Sequence, residues 1–107
     1  MTDKTLTLLG FAAKAGKLSY GAAKATASIY RARAHLIVTA SDLSEKSKKE
    51  ITFHAAKKQV PVIRFTTNDS QTLSNAVGRK CAVLSVNDES FAAAIVKAIQ
   101  ESEISAQ

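Results

Sequence analysis

Along the chain, apolar residues first recur at helical spacing and then gather into short unbroken runs separated by polar turns. Leu6, Leu9 and Ala13, with Leu8 and Ala12 beside them, make the stripe of an amphipathic helix that Thr2 or Asp3 can cap and Gly16 can close. Lys17-Leu18-Ser19 is long enough only for an edge strand. A second helix is expected from about Gly21 to Ala32. Its buried side would be Ala22, Ala25, Thr26 and Ile29, and its outer side Ala23, Lys24, Ala27, Ser28 and Arg31. His35 to Ala40, HLIVTA, is an apolar run of strand length and fits a central strand covered on both faces.

The second half repeats the alternation. Ser44 is placed to cap a lysine-rich helix ending near Lys58, with Ile51 and Ala55 facing inward. Val60 to Phe65 reads as a strand with Pro61 at its entrance, where no ladder donor is needed. Asn68-Asp69-Ser70 opens a short helix through Leu73 and Val77 that Gly78 stops. Ala82 to Val86 is a further strand. Asp88 caps a last helix with Phe91, Ala92, Ile95, Val96 and Ile99 inside, and the polar tail from Glu101 is expected to fray. Helices alternating with strands imply an α/β fold with helices on both faces of a small four-stranded mixed sheet, a three-layer α/β/α sandwich. At 107 residues the chain has room for one such domain.

Charge narrows the function. The formal net charge is +6, unevenly spread: residues 1–64 hold 12 Lys/Arg against 4 Asp/Glu, and residues 65–107 hold 3 against 5. Concentrated positive charge on a small domain is the electrostatic footprint of a nucleic-acid binder. A glycine-led helix start flanked by Lys14, Lys17, Lys24, Arg31 and Arg33 offers unpaired amides and cations to a phosphate. Catalytic chemistry finds little support. A single cysteine, Cys81, has no partner at metal-ligand spacing, and GAAKAT lacks the ending of a phosphate-binding loop. His35 and His54 are expected to be partly buried structural residues. Without a leader-like N-terminus or a long apolar run, the protein is expected to be soluble and cytoplasmic, and without a Cys/His pair at ligand spacing no metal is expected.

Several stretches together resemble a known family. LLGFAAKAGKLSYG, then AHLIVTASD, then VPVIRF and a short helix ending at Gly78 are similar to the bacterial YlxQ-like branch of the kink-turn-binding ribosomal protein family, over roughly residues 6–99. The resemblance implies an α/β/α RNA-binding domain with no cofactor that acts on structured RNA, ribosomal RNA in particular, and a monomer is expected. In that family the second helix enters a groove beside sheared G·A pairs, and a loop before the last strand covers an extruded nucleotide. Gly21 matches the family's opening glycine and Thr26 its threonine. Ala23 stands where asparagine is usual, Lys24 where glutamate accepts from guanine, and Ala27 where lysine is usual. The loop falls at Gly78, Arg79, Lys80 and Cys81.

Those substitutions matter chemically. Alanine makes no base-edge hydrogen bond, and Lys24 is a donor where guanine needs an acceptor. A good polar base contact is worth about 1–3 kcal/mol of discrimination, so losing two or three removes most preference for a kink-turn. Phosphate contacts from Lys14, Lys17, Lys24, Arg31, Arg79 and Lys80 are unaffected. The expected interface is therefore Lys14, Lys17, Gly21, Ala22, Ala23, Lys24, Ala27, Arg31, Arg79 and Lys80, reading shape and charge more than sequence. The alternative is a protein-interaction module that keeps the fold and has lost RNA, its smooth alanines at 23 and 27 suiting a partner helix.

Overall fold

The computed structural model describes residues 4–106, with side chains through residue 100. A cap at Thr2 or Asp3 lies outside the described residues. The sheet is built around β2 (Leu36–Thr39), whose four residues are all buried, as a strand covered on both faces requires. It pairs parallel with β3 (Val62–Arg64) and antiparallel with β4 (Val83–Val86). β4 pairs antiparallel with β1 (Leu18–Tyr20), so the order is β1-β4-β2-β3 and β1 is an edge. Alternation along the two inner strands feeds two cores. Leu36, Val38, Leu84 and Val86 pack with Leu9 of α1 (Lys4–Lys14), Leu73 of α4 (Ser70–Val77) and Ile95 of α5 (Glu89–Ala106). Ile37 and Val83 pack with Ala25 and Ile29 of α2 (Ala22–Tyr30) and with Ile51 and Ala55 of α3 (Glu45–Lys57). This is the three-layer sandwich with a mixed four-stranded sheet.

Local chemistry sets the helix ends. Ser44 Oγ accepts from the Ser47 N–H at 3.2 Å and Asp69 Oδ1 from the Thr72 N–H at 2.9 Å. Asp88 Oδ2 accepts from the Phe91 N–H at 2.9 Å. Gly16 and Gly78 take the positive φ that closes α1 and α4. Gly10 has a different role: a Cβ there would lie 3.0 Å from the Ala76 carbonyl oxygen, so its bare backbone lets α1 and α4 approach. That approach fixes where α4 delivers the 78–81 loop.

Four expectations are corrected. Ala22 is exposed and Ser28 buried, because Ser28 falls three residues after Ala25 and beside Ile29 on the inward stripe. The Ser28 hydroxyl is satisfied there by Ser19 Oγ at 2.9 Å. His35 is exposed at the entrance to β2, while His54 is half-buried as expected. The last helix runs on through Ala106 and does not break at Glu101.

Candidate nucleic-acid interface

The helix start that the sequence singles out is open. Gly21 sits at φ 89° and ψ 160°, an extended left-sided conformation that suits glycine, and it offers no side chain to cap α2. Its own N–H donates to the Val83 carbonyl at 2.8 Å, and its carbonyl accepts the Ala25 N–H at 2.9 Å. The amides of Ala22, Ala23 and Lys24 belong to the first helical turn, which has no intrahelical acceptor, so they present a partial positive charge outward. Ala22, Ala23 and Lys24 are all exposed, and no bulky group shields that turn.

The 78–81 loop is brought to the same place by the sheet. Tyr20 pairs with Leu84 across β1 and β4, so the chain leaving α4 for β4 passes the junction of β1 and α2. Ser74 clamps it: its Oγ donates to the Cys81 carbonyl at 3.1 Å and accepts the Cys81 N–H at 2.9 Å. Arg79 lies over the Tyr20 ring, its guanidinium carbon 5.0 Å from the centroid. A cleft of about 480 Å³ results, with Lys24, Tyr20, Gly78 and Arg79 around it and Leu18 and Ser19 of the edge strand along its floor. Burial raises the Tyr20 phenol pKa, and the Arg79 charge pulls the other way. Cys81 is buried and its thiol pKa is raised, which keeps it a neutral thiol.

The ten expected interface residues do not all converge. Gly21, Ala22, Ala23 and Lys24 form the opening of α2, and Lys24 shares the cleft with Arg79. Lys80 is exposed in the same loop, while Ala27 is half-buried one turn along α2. Lys14 lines a separate, mainly apolar groove between α1 and α4 that meets the cleft at Gly78. Lys17 stands at the opposite end of β1, where its carbonyl accepts the Asn87 N–H at 2.7 Å. Arg31 caps the far end of α2, about 15 Å from Gly21 at 1.5 Å per residue. The aromatic wall at Tyr20 and the Ser74 clamp went unnoticed in the sequence, since each depends on a partner brought in by the fold.

Comparison with known proteins decides the family. The sequence profile of the ribosomal protein L7Ae/L30e/S12e/Gadd45 family matches residues 3–96. The chain belongs to that family. It is 29% identical over 90 residues to the RNA-binding protein YlxQ of Enterococcus faecium, spanning 84% of this chain and 85% of that one. Among solved structures it is similar to a protein of unknown function from Bacillus halodurans C, with a TM-score of 0.88 and 27% identity over 92% of this chain and 99% of that chain. The Giardia lamblia 15.5kD RNA binding protein shares the fold, with a TM-score of 0.73 and 18% identity over 92% of this chain and 84% of that chain. Among the described residues no helix is long and apolar enough to cross a membrane, and no three His, Cys, Asp or Glu side chains are grouped to hold a metal ion.

Proposed function

We propose that this family member is an RNA-binding protein that grips structured RNA, ribosomal RNA or its assembly intermediates, in the cytoplasm and as a monomer. It works by binding alone, without catalysis or cofactor. The supporting observation is that Lys24, on the uncapped first turn of α2, and Arg79, on the 78–81 loop, line one cleft. Backbone amides and two cations suit a phosphate, and Tyr20 gives the cleft an aromatic wall. Lys80 extends the cationic rim, and Lys14, in the adjoining groove, is a further phosphate contact.

Base reading is weak in this account. Exposed Ala23 and half-buried Ala27 bring no donor or acceptor to a base edge, and Lys24 brings the wrong polarity for guanine. Two lost contacts of about 1–3 kcal/mol each remove on the order of thirtyfold or more from any preference for a kink-turn over a plain duplex. A mobility-shift comparison of the two RNAs at one salt concentration tests this. A hundredfold advantage for the kink-turn contradicts it.

A further inference from the structure

A second cationic surface lies at the other end of α2. Phe53 and Tyr30 are 57% and 44% exposed, and neither contributes to the buried cores. His54 stands between them, its ring 5.4 Å from each and close to perpendicular to both. Tyr30 Oη is 2.6 Å from His54 Nδ1, which holds the phenol ring in place across two helices. Lys57 Nζ lies 4.9 Å from the centroid of Phe53, and Lys58 Nζ 5.8 Å from that of Tyr30. Neither lysine is paired with a carboxylate among the described residues. Exposed aromatic rings held by neighbours and ringed by free cations match a strand that carries both bases and phosphates.

The geometry points to a stacking platform for single-stranded RNA at Tyr30, Phe53 and His54, reached along the groove between α2 and α3. The class of polymer rests on the RNA-binding reading above; the platform rests on the aromatic cluster itself. A groove of about 270 Å³ runs from Ala22 and Ala23 past Ser47 and Glu50 to His54. It runs from the open start of α2 as far as His54, and Ala22 and Tyr30 are about 12 Å apart along the helix. RNA gripped at the first site can therefore leave a tail on the second. The occupant is single-stranded because bases inside a duplex are already stacked and their faces closed to a side chain.

Magnitudes favour the exchange. An exposed cation–π contact is worth about 0.5–1 kcal/mol, whereas a base stacked on an aromatic side chain is worth about 1–3 kcal/mol. An arriving base displaces each lysine from its ring face and leaves the ammonium beside the strand's phosphates. A protein helix docked on the same rings would have to bury those two ammonium groups without partners, at a cost the strand avoids.

Fluorescence anisotropy of the whole protein with two labelled probes tests the platform: a decauridylate strand and a blunt RNA duplex. Phe53→Ala and Tyr30→Ala should each weaken decauridylate binding at least about fivefold, which corresponds to one lost stacked base. Both should leave duplex binding unchanged, and Phe53→Tyr should retain decauridylate affinity. Because Phe53 is mostly exposed, its variants should melt with the parent. Parent protein that ignores decauridylate in dilute buffer overturns the platform, and assigns the rings to a protein partner. Equal loss on both probes, or loss in Phe53→Tyr as large as in Phe53→Ala, overturns it as well. Parent that binds decauridylate through these rings but ignores the duplex upholds the platform and removes the α2 rim.

Discussion

Two helix starts in this protein meet opposite fates. At α4, Asp69 takes the Thr72 N–H, and Asp42 reaches across 28 residues to accept from both the Ser70 N–H and the Ser70 hydroxyl at 2.8 Å each. That positive end is satisfied twice from within the chain. At α2, glycine supplies no cap and the neighbouring side chains are alanine, alanine and lysine. Two carboxylates close the helix that holds a loop. At the open helix Lys24 stands in the first turn, and the Glu50 carboxylate of α3 lines the groove beside it without capping it. An N-terminus closed by the protein's own anions is architecture, whereas one left bare among lysines and arginines is available to an anion from outside.

Breaking this contrast should have graded effects. Reversing charge at the open end has the largest: Lys24→Glu with Arg79→Glu removes two charge-assisted contacts of about 1.5–3 kcal/mol each and should cost on the order of a hundredfold or more in RNA affinity, on every structured RNA tried. Gly21→Ala comes next. It forces a side chain onto a backbone at φ 89° and should cost about 1–3 kcal/mol in denaturant unfolding. Ser74→Ala, on the closed side, removes both bonds that clamp Cys81 and should cost about 1–2 kcal/mol, with a smaller drop in RNA affinity as Arg79 loses its fixed presentation.

Removing the caps of α4 should separate stability from binding. Asp42→Ala and Asp69→Ala should each lower the melting temperature while leaving RNA affinity in place. The smallest effect is one of pH. The Thr72 amide holds the Asp69 carboxyl below its ordinary value of 3.8, so its contribution to stability is present above that value and is lost as the pH falls through the lower, folded-state value. Asp69→Asn keeps a capping oxygen without the charge, and its melting temperature should fall less than the parent's below pH 3.8.

Local signals carried most of the fold. Ser44, Asp69, Asp88, Gly16 and Gly78 each announced a helix boundary that the structure keeps, and the run from Leu36 to Ala40 is buried throughout. Other boundaries carried no such residue. α2 and α3 end through Ala32 and Gln59 at φ 58° and 57°, a left-handed position more often given to glycine. What could not be read was whatever needs a distant partner. A serine at position 28 reads as solvent-facing until Ser19 arrives from the edge strand, and Asp42 reads as a turn until Ser70 is beside it. The candidate site divides the same way. Gly21 and Lys24 were visible as a helix start, but the cleft depends on the pairing of β1 with β4. That pairing sets Arg79 over Tyr20, while Lys17 and Arg31, near in sequence, stand apart.

The salt dependence of RNA affinity tests the open helix start most directly, measured on one duplex for the parent and for Lys24→Ala with Arg79→Ala. Each phosphate contact contributes about 0.9 to the slope of log affinity against log salt, so the double variant should be shallower by about 1.8. A parent and variant with the same slope would contradict the account, because the cleft would then hold no phosphate.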